Sequence, residues 1–294
     1  MTKPYQKFFD PNISRKSKII DSSLKIINNI PLPSLVEISN SGMCNRKCSF
    51  CPRSDPNYKD INEFISIELH DKIIKELSVY QYDGILVYSG FNEPLLKKDI
   101  YRDIKEARNN LPEAQIELIT NGDVLNSERL SKLFIAGLST ILISVYDGEE
   151  DYKKFHHLCE QTKLKKSQYI IRKRYLAKKY DYGITMSNRS GLLKNAEHAV
   201  PAIKKSLNKP CNYPSYTFFI DYNGDVLMCS HDWGKKLVLG NMNKESFIDI
   251  WKSQKSMIAR SKLIKADRNF SPCNKCDVDG GLIGNKHSEV WNKI

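Results

Sequence analysis

The 294-residue sequence predicts an α/β protein: a partial (β/α)6 barrel followed by a small domain made of a hairpin and a helix. Three observations carry that prediction. Short apolar runs of strand length alternate with segments of helical period between residues 35 and 186. Repeated strand–helix units build a parallel sheet through right-handed crossovers. Beyond residue 206 the alternation stops, and Asn223-Gly224 between two apolar runs is a hairpin signal.

Residues 1–33 are polar with scattered apolar positions and end on Pro31-Leu32-Pro33, so they read as an N-terminal extension. The first strand is expected at 35–39. A helix over 67–79 follows from Leu69, Ile73, Ile74 and Leu77. Strands at 84–88, 115–119 and 140–145 alternate with helices at 97–110, 127–136 and 149–158. Two further strands are expected at 167–172 and 183–186. The barrel is thus assigned 34–205 and the small domain 206–294. In the latter, strands at 216–220 and 226–229 flank the turn, and one helix over 246–259 offers Phe247, Ile250, Trp251, Met257 and Ile258 to a core.

Composition excludes several classes. Hydrophobic content of 40% and charged content of 27% are ordinary for a soluble protein. No apolar run approaches the ~18 residues of a membrane span. The N-terminus lacks an apolar secretion segment, which makes a cytoplasmic protein the expectation. Eight cysteines then point to metal ligation rather than disulfides. The net charge of +12 is spread over the chain, without a basic, aromatic-interleaved nucleic-acid module. It suits a solvated lysine-rich surface, an anionic substrate, or an acidic electron donor such as a flavodoxin or ferredoxin.

Cys44, Cys48 and Cys51 follow the first strand in the spacing C-x3-C-x2-C. In parallel α/β proteins the working loops lie after the strand C-termini. Three thiolates can hold three corners of a [4Fe–4S] cubane and leave the fourth iron open for chemistry. A zinc knuckle is the alternative. Zinc sites usually add a second cysteine pair or nearby histidines, whereas here only His70 stands between the triplet and His156-His157-Leu158-Cys159. Four more cysteines, Cys211, Cys229, Cys273 and Cys276, are spaced to close one tetrahedral or cubane site, and spacing alone does not separate zinc from iron there.

The triplet resembles the signature of the radical S-adenosylmethionine (SAM) superfamily. Ser89-Gly90-Phe91-Asn92-Glu93-Pro94 resembles that family's Gly-Gly-Glu-Pro motif, which binds the SAM amino group, with Asn92 in place of the second glycine. Thr120-Asn121-Gly122 and Ser144-Val145-Tyr146-Asp147-Gly148 resemble its third- and fourth-strand signatures. The C-terminal cysteines, Leu239-Gly240-Asn241 and Ile250-Trp251 resemble the SPASM/twitch extension in its one-cluster form, and the layout is similar to that of an aminocyclitol-oxidising branch.

The resemblance implies SAM and two [4Fe–4S] clusters, one binding SAM and one auxiliary. It implies Cys44, Cys48 and Cys51 on the first and the four later cysteines on the second. Phe50 would shield the first cluster, and Gly90, Asn92, Glu93, Asn121 and Ser144 would contact SAM. Many relatives carry an arginine where His156 stands, so Arg172 is the candidate partner for the SAM carboxylate. Arg189, in Asn188-Arg189-Ser190-Gly191, is a candidate substrate or carboxylate ligand, with an exposed turn as the plain alternative. Cys159 is either a hydrogen donor or an ordinary buried residue. The implied reaction is reductive SAM cleavage and hydrogen abstraction from a small-molecule substrate such as a sugar, polyol or aminocyclitol, ending in alcohol oxidation. Epimerisation, peptide maturation and, more remotely, a non-catalytic zinc protein that binds RNA are the alternatives.

Overall fold

The computed structural model describes residues 12–175, 187–193 and 203–294. Helix α1 (Ile13–Ser22) opens the described chain and is followed by a two-stranded ribbon, β1 (Ile26–Ile27) and β2 (Ile30–Pro31). Then come β3 (Leu35–Ser39), α2 (Ile67–Val79), β4 (Ile85–Tyr88), α3 (Ile100–Asn110), β5 (Gln115–Thr120), α4 (Ser127–Ile135), β6 (Thr140–Val145), α5 (Glu149–Gln161) and β7 (Tyr169–Lys173). These five strands pair in parallel in chain order, as alternating strands and helices require. The strand expected at 183–186 lies outside the described residues.

The C-terminal part contains the short helix α6 (Tyr213–Tyr216), β8 (Thr217–Asp221), β9 (Asp225–Leu227), β10 (Val238–Asn241), α7 (Phe247–Trp251), α8 (Gln254–Ile264) and α9 (Asn285–Trp291). The hairpin is not a free-standing module. Strand β8 pairs in parallel with β3, giving one eight-stranded sheet in the order β10-β9-β8-β3-β4-β5-β6-β7. All five residues of β8 are buried, so it needs a neighbour on each side. The single helix expected over 246–259 is two. Ser253 breaks it and caps α8, its hydroxyl accepting from the Ser256 amide at 3.2 Å. The break resets the helical phase. Ala259 and Leu263 therefore face inward, while Ile258 is 51% exposed rather than core.

Two residues apart along a strand means the same face of the sheet. Val36, Ile38, Leu86, Tyr88, Ile116, Leu118, Ile141 and Ile143 are buried on the face covered by the helices, with Ile73, Ile74 and Ile104 against them. The opposite face carries Glu37, Ser39, Ser89, Asn121, Ser144 and Arg172. At the start of β3 and β4 that inner face is apolar, and Ile20 of α1 packs with Leu35, Ile85 and Val87. Arg15 of α1 pairs with Glu117, which is 3% exposed. The described part of the extension, residues 12–33, is thus part of the barrel's floor. The inner face is left polar at the strands' C-terminal ends.

Candidate functional site

That polar end is a cavity of about 250 Å³. It brings together Cys44, Cys48, Cys51, Phe50, Gly90, Asn92, Glu93, Asn121, Ser144, Arg172 and Arg189, the whole predicted set for this end of the barrel. The cysteine loop is fixed across the mouth by charge. Arg46 donates to Asp123, after β5, at 2.7 Å and to Asp147, after β6, at 3.0 and 2.6 Å. Its guanidinium also lies 5.2 Å from the centre of the Tyr146 ring, on which Phe50 stacks at 5.4 Å. Asn121 donates to Asn45 Oδ1 at 2.8 Å. Phe50 and Asn121 therefore hold the loop as well as lining the cavity.

All eight cysteines are free thiols. Burial, then the neighbouring Cys51 and Cys44, pushes the Cys48 thiol up to about 12. Burial also raises Cys44 and Cys51. Three crowded thiols that resist ionisation are the donor set a cationic iron centre deprotonates.

Glu93 is 2% exposed and is pushed up to about 7 by burial, against the lowering effect of its hydrogen bonds. Its carboxylate accepts from the Asn121 amide at 2.8 Å, the Thr120 hydroxyl at 2.7 Å and the Leu95 amide at 3.1 Å. It ties the loop after β4 to the loop after β5. The open acceptor of this motif is Asn92 Oδ1, buried and without a partner among the described residues, while Asn92 Nδ2 donates to Asn40 and Ser41. Gly90 at φ +110° lets the chain pass close to Ser39 and Phe219, whose atoms a Cβ would meet at 2.9 and 3.0 Å. Arg172 donates to Ser144 Oγ at 2.7 Å, and its Nε is a buried donor without a partner among the described residues.

A second cavity is lined by Cys211, Cys229, Cys273 and Cys276 together with Ser190, His231 and Arg268. The hairpin does return Cys229 to Cys211. Burial raises all four thiols, Cys211 up to about 11. Gly280 lies so close that a Cβ there would meet Cys211 Sγ at 2.2 Å. Among the described residues no three His, Cys, Asp or Glu side chains converge on a point where a single metal ion would sit.

One candidate, Cys159, falls elsewhere, and His156 too stands apart from the cavity. His156 is on α5, partly exposed and paired with Glu160 at 3.4 Å, and it does not line the cavity. Cys159 is fully buried among apolar side chains, its thiol pushed up to about 12 by burial, and it lines neither cavity. Other lining residues were not anticipated, among them Glu37, Arg53, Arg174 and Trp233. Glu37 and Arg174 stand at two-residue spacing from Ser39 and Arg172, and that alternation of polar residues within apolar strands is the signal that marks them.

The family model described as the radical SAM superfamily matches residues 38–204. The chain belongs to the radical SAM superfamily. A second model, an iron–sulfur cluster-binding domain named SPASM, matches residues 211–277. The radical SAM domain and the SPASM domain together imply SAM, a SAM-site [4Fe–4S] cluster and an auxiliary one. The chain is 28% identical over 246 residues to the S-adenosyl-L-methionine-dependent 2-deoxy-scyllo-inosamine dehydrogenase of Niallia circulans, covering 83% of this chain and 92% of that protein. Its fold is similar to the crystal structure of BtrN in complex with AdoMet and 2-DOIA, with a TM-score of 0.71 and 26% identity over 85% of this chain and 95% of that one. Native anSMEcpe with bound AdoMet shares the fold at 14% identity, with a TM-score of 0.52 over 88% of this chain and 95% of that one. No helix among the described residues is long and apolar enough to cross a membrane.

The residues present fit these groups. Seven thiols stand in a set of three and a set of four, and the first set shares its cavity with a buried acceptor, Asn92 Oδ1, and buried donors, Arg172 Nε and Arg189 Nε, that have no partner among the described residues. An acceptor and guanidinium donors are what the ammonium and carboxylate of an amino acid require.

Proposed function

We propose that this radical SAM enzyme oxidises an alcohol of a small polar substrate (a sugar, polyol or aminocyclitol) to a carbonyl. The observation that carries the reading is the closed set of four cysteines around one cavity, separate from the three beside the SAM contacts. The dehydrogenase relative and the aminocyclitol ligand of the similar structure support the substrate class.

In this reading Cys44, Cys48 and Cys51 hold the SAM-site cluster, and Cys211, Cys229, Cys273 and Cys276 hold the auxiliary one. With SAM bound, the groups supply a carbon-centred radical at the first site and a one-electron acceptor at the second. Asn92 Oδ1 would be the acceptor for the SAM ammonium. Arg172, steadied by Ser144, presents its guanidinium edge to the carboxylate. Glu93 keeps the β4 and β5 loops in register, and Phe50 on Tyr146 keeps water from the reacting centre. Arg189 and Glu37 are the polar groups left to face a substrate. Alcohol oxidation balances when the carbon gives up a hydrogen atom, the hydroxyl a proton, and one electron passes to the acceptor.

Seven cysteines grouped for metal ligation rather than disulfides suit a reducing cytoplasm. The basic surface suits an acidic flavodoxin or ferredoxin as electron donor. Epimerisation by a returned hydrogen atom draws no support from Cys159, which lies in the core.

The test separates radical generation from oxidation. Cys48→Ala abolishes SAM cleavage. Cys276→Ala retains cleavage and forms no oxidised product. Undiminished product from the Cys276 variant would refute the electron-accepting role.

A further inference from the structure

Of the three tryptophans, two serve the fold. Trp251 donates its indole N–H to the Pro31 carbonyl at 2.9 Å, and Trp291 donates to the Ser215 carbonyl at 3.1 Å. A buried indole normally finds such an acceptor. The third, Trp233, donates to no described residue and lines the cavity of the three cysteines. It stands on the loop between β9 and β10, which divides its residues between the two sites. Cys229 and His231 line the cavity of the four cysteines, whereas Ser230 and Trp233 line that of the three.

The loop is built to hold this side chain in place. Asp232 is fully buried and accepts from the Lys236 amide at 2.9 Å and the Leu237 amide at 2.8 Å. Lys235, at φ +48°, pairs with Asp221 at 2.5 Å. The Trp233 ring centre lies 4.6 Å from that of Phe91 and 6.2 Å from that of Tyr58. Arg53 fixes both of these neighbours. It donates to the Phe91 carbonyl at 2.6 Å, and its guanidinium lies 5.0 Å from the centre of the Tyr58 ring. A large aromatic surface with an open N–H is thus preorganised in the cavity.

The hydroxyls of a cyclitol or a pyranose need polar partners, while the C–H bonds of the ring present an apolar face. An acyclic polyol holds no such face. An indole offers an apolar surface and one donor, which matches a ring of this kind. We propose, on the alcohol-oxidation reading, that Trp233 is a specificity-determining residue: the C–H face of a ring-shaped substrate, a cyclitol or a pyranose, rests on its indole. The loop that brings Cys229 to the second cavity thereby also selects what enters the first.

The test uses the full chain with both clusters assembled and SAM bound, left oxidised so that nothing turns over. Calorimetric titration compares two ring probes, 2-deoxy-scyllo-inosamine and myo-inositol, with the acyclic polyol sorbitol. Wild type is expected to bind a ring probe about tenfold or more tighter than sorbitol. Trp233→Leu keeps apolar packing against Phe91 but has no aromatic face. It is expected to bind the ring probe about tenfold more weakly and sorbitol as wild type does, while Trp233→Phe stays within about threefold of wild type. A merely structural role would weaken ring and acyclic probes alike, and that result overturns the inference. So does undiminished ring binding in Trp233→Leu, or sorbitol bound by wild type as tightly as the rings; all three leave the oxidation reading standing. Failure of wild type to bind any of the probes overturns the inference together with the substrate class it rests on.

Discussion

Asn92 replaces a glycine of the family motif, and the replacement has a use: its side chain anchors to Asn40 and Ser41 and leaves one buried acceptor in the cavity proposed for SAM. Glu93 beside it is spent on internal hydrogen bonds. Its raised value has a consequence for stability. The unfolded carboxyl loses its proton near its ordinary value of 4.5, and the folded one at about 7. Between those values the folded state binds more protons, so stability falls as pH rises through this window. Thermal unfolding of the apoprotein from pH 4.5 to 7.5 is expected to show a shallower decline for Glu93→Gln than for wild type. At this scale the cysteines were legible because metal ligands have spacing. Arg46 was not, because its two carboxylate partners come from loops 77 and 101 residues away and only the fold brings them near.

Among the elements, the cysteine loop is held less by its own conformation than by the loops after β5 and β6, through Arg46. Arg46 is only partly exposed, so its pairs exceed a fully solvated ion pair, which is worth ~0–1 kcal/mol. Arg46→Ala is expected to change global stability by no more than about 1–2 kcal/mol while releasing iron from the SAM-site cluster faster under chelator. Iron retention equal to wild type would show that the loop holds itself. Strands and helices of the barrel were legible from period alone, since one sheet face is apolar throughout. The break at Ser253 was not, because a capping serine inside an apolar period reads as helix until its hydroxyl is seen turned to the Ser256 amide. Nor was the pairing of β8 with β3, a contact between segments about 180 residues apart that no local pattern encodes.

Across the whole molecule, that pairing matters most. Because β8 extends the barrel's own sheet, the four cysteines proposed for the auxiliary cluster are carried on the same framework as the cavity proposed for SAM. Trp233, from the loop between β9 and β10, reaches into the barrel mouth and packs on Phe91 at 4.6 Å. The two sites are thus fixed relative to each other, as transfer of an electron from a substrate in one cavity to an acceptor in the next requires. The measurement that tests this account most directly is deuterium transfer. The reduced, two-cluster enzyme would be given SAM and a polyol or aminocyclitol, 2-deoxy-scyllo-inosamine first, deuterated at the carbinol carbons. The account predicts deuterium in 5′-deoxyadenosine and a matching amount of ketone. Active SAM cleavage with no deuterium transferred from any such substrate would contradict it.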